Sequence, residues 1–279
     1  MAVIATGFFD GVHTGHRSVI ETLVNEAHKR GDESLVITFW PHPRTVLQKD
    51  ARDLRLLTSL EEKKSLLLSL GVDRVEVLPF SREFSNTTAR QYLSDVLRDG
   101  FGGKAVVIGY DNRMGSDQAT PSATAAMALE AGMDAIVTGP VGTISSTSVR
   151  KALSEGRVED AAGMLGYNYM LHGVVVSGKQ LGRTIGYPTA NMQLYEPLKL
   201  LPLKGAYLTE VEVLGKTWYG MTNVGGIVET HIFDFSEDIY GLDIKIKFVR
   251  RIRDERTIGS VEELKAQLSI DEASCRALF

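Results

Sequence analysis

His13 and His16 stand three residues apart in Gly7-Phe8-Phe9-Asp10-Gly11-Val12-His13-Thr14-Gly15-His16, so on a helix the two imidazoles share a face. Imidazoles so placed can donate hydrogen bonds to the charge that builds on a phosphoryl group as a bond to it breaks. Glycines at 7, 11 and 15 permit positive φ and put no side chain in the way of a phosphate. An H-x-x-H pair also holds metals, with Asp10 available beside it, but no third His or Cys lies at ligand spacing nearby. Nucleotide chemistry is the stronger reading because of what flanks the turn. The apolar run Ala2–Thr6 reads as a buried strand, and helical spacing follows at Val19, Leu23, Val24 and Ala27. A turn that feeds a helix start offers unpaired N–H groups and the positive end of a dipole to an anion.

Three further segments carry chemistry. Thr143-Ile144-Ser145-Ser146-Thr147-Ser148-Val149-Arg150 places hydroxyls and N–H groups at a second helix start with Arg150 a turn inside, and Arg grips phosphate oxygens in two-pronged fashion. Gly182-Arg183-Thr184-Ile185-Gly186-Tyr187-Pro188-Thr189-Ala190-Asn191 fixes a tight, open backbone, and Thr189 and Asn191 offer oxygens suited to a hard cation such as Mg²⁺. Without context, an ordinary polar loop explains it equally well. Glu229-Thr230-His231-Ile232-Phe233-Asp234-Phe235 alternates like a half-buried strand, and Glu229, His231 or Asp234 could each serve as acid or base. Spacing alone does not choose among them.

Elements that would position these residues follow from periodicity. Strands are expected at Leu35 to Trp40, Val75 to Leu78, Ala105 to Gly109 and Ala135 to Thr138, with helices between them opened by the capping boxes Ser59/Glu62 and Thr88/Gln91. Strands separated by helices pair in parallel with right-handed crossovers, which predicts an open α/β sheet whose ligands bind at the carboxyl ends of the strands. After Leu165-Gly166 the rhythm changes to short-turn strands at Met170 to Val176, Tyr207 to Val213, Trp218 to Asn223, Glu229 to Phe235 and Asp243 to Val249. They read as a small antiparallel barrel or sandwich, closed by a helix from Ser260 with a box to Glu263. The domain boundary is placed near Tyr167, giving 1–166 and 167–279, with 158–165 as a connecting helix.

A chain of 279 residues suits two domains, and its net charge of -4 argues against broad nucleic-acid binding, which needs clustered Lys and Arg. With Cys275 the only cysteine, an internal disulfide and a Cys-based zinc site are excluded, which fits a reducing cytoplasm. No apolar run approaches the length of a membrane span, and neither nucleic acid nor membrane is expected as a partner.

Taken together and in order along nearly the whole chain, these segments resemble the bifunctional bacterial riboflavin kinase/FMN adenylyltransferases, also called FAD synthetases. Gly7 to His16 matches the family's G-x-F-D-G-x-H-x-G-H signature, Ile144 to Arg150 its I-S-S-T-x-x-R element, and Gly182 to Asn191 its G-R-x-x-G-x-P-T-A-N segment. The resemblance implies an N-terminal Rossmann-like nucleotidyltransferase domain with an open parallel sheet, then a kinase on a six-stranded antiparallel barrel with a C-terminal helix. It implies that riboflavin and ATP give FMN and ADP, and that FMN and ATP give FAD and pyrophosphate, with Mg²⁺ as cofactor. By carry-over, His13 and His16 steady the ATP α-phosphate. Gly7, Phe8, Asp10 and Gly15 line that ATP site, Ser146, Thr147 and Arg150 hold the outgoing phosphates, and Asp111 lies in the flavin and nucleotide pocket. In the kinase, Gly182, Gly186, Thr189 and Asn191 bind ATP and Mg²⁺, Thr189 and Asn191 as metal ligands, and Glu229 is the base. A cytoplasmic enzyme follows.

Two segments are shorter than the family pattern: Gly226-Ile227-Val228 reaches the glutamate at once, and Met114-Gly115 passes straight to Ser116-Asp117. Either the loops are short or residues of mobile loops are missing from the sequence, and omission is the favoured expectation. Short loops would call kinase turnover into question and favour a flavin-binding or regulatory protein. A single-activity adenylyltransferase for another phosphorylated precursor, such as phosphopantetheine, ranks last, since it leaves the Pro-Thr-Ala-Asn domain without a role.

Overall fold

The computed structural model describes residues 1–48, 51, 53–140, 142–178 and 181–279. They form two compact units, Met1–Ser146 and Thr147–Phe279. The first unit holds five parallel strands, β1 (Ala2–Thr6), β2 (Glu33–Trp40), β3 (Arg74–Pro79), β4 (Gly103–Ile108) and β5 (Asp134–Val137), in the order β3-β2-β1-β4-β5. Each strand lies within a residue or two of the sequence expectation, because runs rich in Val and Ile pack well on a sheet covered on both faces.

Alternation along β1, β2 and β4 builds two cores. Ile4, Leu35, Ile37, Val106 and Ile108 point to one face. Val3, Ala5, Val36, Ala105 and Val107 point to the other, where they meet Ile20, Leu23 and Ala27 of α1 (Thr14–Arg30). On the first face lies a helix that begins as α4 (Ala89–Gln91) and continues as a wider π-type stretch (Tyr92–Gly100), burying Tyr92, Leu93 and Leu97. The short α2 (Pro43–Leu47), α3 (Leu60–Ser69) and α5 (Pro121–Glu130) complete the layers. Both expected capping boxes close reciprocally, Ser59 with Glu62 and Thr88 with Gln91. Strand order reverses between β1 and β4, so the crevice beyond their carboxyl ends is where such a sheet takes ligand. The glycine turn follows β1 directly into that crevice.

The second unit opens with α6 (Ser146–Ser154), whose first residue belongs to the first unit, and α7 (Val158–Leu165). Six strands then close a barrel in the order β10-β7-β6-β11-β8-β9: β6 (Met170–Val176), β7 (Ala190–Leu194), β8 (Gly205–Val213), β9 (Lys216–Val224), β10 (Val228–Ile232) and β11 (Asp243–Asp254). Every pairing is antiparallel. Buried Thr209, Thr222 and Thr230 link their hydroxyls at 2.8 Å each, so these three groups satisfy one another. The single helical turn α8 (Leu181–Thr184) precedes β7. The closing helix α9 (Val261–Arg276) docks through Arg253, which grips buried Asp271 at 2.7 Å, and through Phe279, which stacks on Tyr219 at 4.1 Å. Burial pushes the Cys275 thiol in this helix up to about 12, so it stays protonated and inert.

Three expectations needed adjustment. Strand β10 stops at Ile232 rather than Phe235, because Asp234 takes a left-handed φ of 55° that breaks the ladder. Ser260 caps α9, but Glu263 turns to the Gly259 N–H at 2.9 Å instead of closing a box on Ser260. Strand β7 arises where periodicity predicts no strand. The two short segments close as turns: Met114 and Ala119 exchange backbone hydrogen bonds of 3.2 and 2.8 Å, and Gly225 N–H donates to Ile227 O at 3.2 Å.

Candidate active sites

In the first unit the turn after β1 is held in an uncommon conformation. Gly11 has φ 81°, and Phe9 and Val12 also take positive φ, 51° and 39°, although Val12 is β-branched. Such backbone persists only where its surroundings over-determine it. Here the Asp10 carboxylate accepts from the N–H groups of Leu57 and Thr58 at 3.0 Å and from the Thr58 hydroxyl at 3.1 Å, while Gly11 N–H donates to the Thr58 hydroxyl. Ser146 adds a hydrogen bond to the Asp10 carbonyl at 2.9 Å.

This frame delivers the two imidazoles. His13 caps α1, its Nδ1 accepting the His16 N–H at 3.4 Å, which leaves the proton of the neutral ring on Nε2. The rings of His13 and His16 stack at 3.7 Å, and Phe9 packs edge-on against His16 at 5.3 Å. Burial, with the charges of His13 and Lys63 acting in the same direction, holds His16 well below the ordinary imidazole pKa. His16 is therefore neutral near pH 7, and its Nδ1 has no hydrogen-bond partner among the described residues. A neutral His16 at a helix start suits binding of an anion by hydrogen bonds rather than by net charge.

Beside the turn lies a cavity of about 590 Å³ lined by Thr6, Gly7, Phe8, Phe39, Phe84 and Tyr92, among others. Phe39, Phe80, Phe84 and Tyr92 form one aromatic cluster with centroids 5.6 to 6.2 Å apart. Buried Tyr92 shares a 2.8 Å hydrogen bond with Thr6, and burial raises its phenol far above the usual value, so it remains a hydroxyl. An aromatic slot with a few polar groups fits a flat ring system.

The second unit has a cavity of about 310 Å³ at the barrel, lined by Arg183, Thr189, Thr230, Glu237 and Tyr240, among others. Asn191 is buried and its Oδ1 has no partner among the described residues. Glu229 is half-buried and stands in register with Asn191 on β7 and Asn223 on β9. The other acids and bases of that segment are engaged: His231 Nδ1 meets the Pro188 carbonyl at 2.8 Å, and Asp234 takes both arms of Arg276 at 3.0 Å.

Among residues singled out from the sequence, Gly7, Phe8, Asp10 and His13 lie in one turn, Gly15 and His16 follow at the start of α1, Ser146 touches the turn, and Thr147 and Arg150 continue along α6. Asp111 is exposed, and the aromatic cavity is lined instead by Asn112 and Arg113. Gly182 sits where a Cβ would meet the Tyr187 carbonyl at 2.1 Å, and Gly186 takes φ 90°, so both shape the bend before Thr189. Sequence reasoning missed Arg183 as a cavity cation, the scattered aromatic cluster, and buried Lys63. Among the described residues no group of three His, Cys, Asp or Glu side chains could hold a metal ion.

Comparison with known proteins matches the two halves of the chain separately. A family model described as FAD synthetase matches residues 1–151, and one described as riboflavin kinase matches residues 165–279. The chain is similar to bifunctional riboflavin kinase/FMN adenylyltransferases of Listeria monocytogenes, 35% identical over 99% of this chain and 92% of that one, and of Escherichia coli, 38% identical over the same shares. With the Bacillus subtilis relative, 34% identical, the match runs over 294 positions and 100% of this chain and 92% of the other, so that relative carries residues this chain lacks. A crystal structure from Streptococcus pneumoniae, described as a macrolide-efflux protein, has a TM-score of 0.90 at 32% identity and covers 99% of this chain and 94% of its own. No helix among the described residues here is long and apolar enough to cross a membrane. Identity above 30% along almost the full length, with each half matched by its own family model, places the chain in the bifunctional riboflavin kinase/FMN adenylyltransferase family.

Proposed function

We propose that residues 167–279 phosphorylate riboflavin and residues 1–166 adenylylate the product, each at the site described above. The chain converts riboflavin and ATP to FMN and ADP, then FMN and ATP to FAD and pyrophosphate. The observation that carries the assignment is the stacked His13/His16 pair, with His16 neutral, at a helix start beside an aromatic-lined cavity of about 590 Å³.

In adenylyl transfer a phosphate oxygen of FMN attacks the ATP α-phosphorus and the bond to pyrophosphate breaks. The ring N–H groups of His13 and His16 donate to the α-phosphate oxygens as charge gathers there. Gly7, Phe8 and Gly15 let the nucleotide approach the backbone, Asp10 holds the turn, and Ser146, Thr147 and Arg150 take the outgoing pyrophosphate. The flavin ring lies among Phe39, Phe84 and Tyr92, with Asn112 and Arg113 toward its phosphate and Asp111 at the rim. No covalent enzyme intermediate is required.

In phosphorylation Glu229 accepts the proton of the terminal ribityl hydroxyl as that oxygen attacks the γ-phosphorus and ADP leaves. Gly182 and Gly186 shape the ATP loop, and Arg183 lies against the phosphates. Asn191 and Thr189 suit Mg²⁺: an orphaned amide oxygen and a hydroxyl are hard oxygen donors, and an unsatisfied buried acceptor is otherwise costly. When bound, Mg²⁺ neutralises charge on the transferring phosphates. We place the enzyme in the cytoplasm, where a chain with one buried thiol keeps it reduced.

Incubation with riboflavin, ATP and Mg²⁺ followed by chromatography of the flavins tests the whole reading: FMN and FAD both appear, whereas unchanged riboflavin refutes it. A narrower prediction concerns Gly178, where a Cβ would meet Asn191 Nδ2 at 2.1 Å. Gly178→Ala displaces that amide, so half-saturation of the kinase by Mg²⁺ should rise about 10- to 100-fold. FAD formation from supplied FMN should stay intact. Titrating Mg²⁺ in both assays checks it, and an unchanged kinase curve removes Asn191 as a ligand.

A further inference from the structure

Lys63 lies on α3, remote in sequence from the histidine turn, yet its side chain is only 1% exposed. Its Nζ donates to the Phe8 carbonyl at 2.8 Å and sits 3.8 Å from the centroid of the Phe8 ring. The Thr38 hydroxyl donates to the same carbonyl at 3.2 Å, and His42 packs edge-on against the same ring at 4.1 Å. Removing a lysine ammonium from water is unfavourable unless specific partners compensate it, so its presence beneath the phosphate turn calls for a role.

We propose that Lys63 is a positioning residue for adenylyl transfer: its ammonium grips Phe8 by carbonyl and ring and so fixes the turn that carries His13 and His16. The inference rests on the reading that the first unit adenylylates FMN. Its geometry explains how so strained a turn is maintained. Asp10 is tied to Leu57 and Thr58 at one point, and Phe8 is tied to Lys63 two residues earlier, so positive-φ Phe9 is held from both sides, and Gly11, which follows, is tied through its N–H to the Thr58 hydroxyl. Phe8 also lines the aromatic cavity, so one contact sets both the imidazoles and the wall beside the flavin.

The charged and titratable groups that act on the ammonium are Asp10 from the turn and His16 from α1, with His42 reaching it only through the Phe8 ring. On its own helix, Glu62 is committed to the Ser59 N–H. Burial lowers the ammonium to about 8, with Asp10 pulling the other way. The cation is therefore present below about pH 8 and lost above it, and both the charge-assisted hydrogen bond and the cation–π contact weaken with it.

The test measures kcat/KM for conversion of FMN to FAD across the alkaline range in wild type, Lys63→Met and Lys63→Arg, with riboflavin phosphorylation by the same chains as reference. Wild type should lose activity as pH rises through about 8. Lys63→Met should be about 10- to 100-fold slower and flat across that limb, because small displacements of reacting groups are enough for such losses. Lys63→Arg, charged throughout, should carry the limb to higher pH, and it decides the matter should Lys63→Met fail to fold. A limb at the same pH in wild type and Lys63→Arg, or Lys63→Met at the wild-type rate, overturns the inference alone. A wild type that makes no FAD from FMN overturns the assignment of the first unit as well.

Discussion

His16→Ala stops the pathway at FMN. Given riboflavin, ATP and Mg²⁺, the variant accumulates FMN while FAD formation falls about 10²- to 10³-fold, the usual effect of deleting one preorganised donor to a developing charge. The physical basis is specific. Nδ1 of His16 has no protein partner among the described residues, and its ring is kept neutral by burial and by the charges of His13 and Lys63. The donor is thus held ready for a phosphate oxygen instead of being spent on the fold. Stability should change little, because the removed ring gives up its stacking on His13 and an edge contact with Phe9, while its Nδ1 has no hydrogen-bond partner among the described residues. Phosphorylation proceeds because Glu229, Thr189 and Asn191 stand on or beside barrel strands whose partners are other barrel strands. Chromatography of the flavins after a fixed time reads both steps in one sample. Equal loss of FMN and FAD, or FAD at the wild-type rate, would remove His16 from the adenylylation machinery.

How far the sequence foretold this arrangement depends on whether a feature is local. The turn after β1 was legible because a five-residue apolar strand, three glycines and a helical repeat sit side by side. The strain inside it was not, since nothing in the letters of Phe9 or Val12 announces a positive φ. Strand β7 went unread as a strand because Ala190-Asn191-Met192-Gln193-Leu194 lacks β-branched residues and follows Pro188, so its place in the ladder comes from β6 and β10 on either side. The aromatic cavity draws Phe39, Phe80, Phe84 and Tyr92 from three different elements and loops, and only the folded sheet collects them.

Lys63 shows the same limit with a residual signal. In Glu61-Glu62-Lys63-Lys64 it reads as part of a solvated charged face. Yet Lys63, Leu67 and Leu70 are spaced i, i+4 and i+7, the inward stripe of a helix that starts at the Ser59 cap. A lysine on that stripe is the clue that sequence reading passed over. Glu229 is the reverse case: three candidates stand in one segment, and the contacts of the other two favour the proposal of Glu229. His231 meets a carbonyl and Asp234 is taken up by Arg276, while β10 turns Glu229 toward Asn191 and Asn223.

That separation gives the second large prediction. Glu229→Gln keeps the volume and the hydrogen-bonding reach of the side chain but removes its capacity to take a proton at neutral pH. A ribityl hydroxyl is a weak nucleophile, and a positioned base contributes about 10²- to 10⁴-fold to such a step, so FMN formation should fall by that factor. KM for ATP should hold nearly constant, because the ATP loop we propose is the Thr189 bend and does not include the glutamate. Supplied FMN should still become FAD at the wild-type rate, which shows that the chain is folded and that the block lies at phosphorylation. His231→Gln and Asp234→Asn serve as comparison variants. The first gives up a contact with the Pro188 carbonyl, and the second weakens the clasp of Arg276 on the loop after β10. Both should affect substrate binding more than turnover. If either abolishes phosphorylation while Glu229→Gln retains it, the base has been assigned to the wrong residue of the strand. If all three leave turnover untouched, proton removal does not limit the reaction.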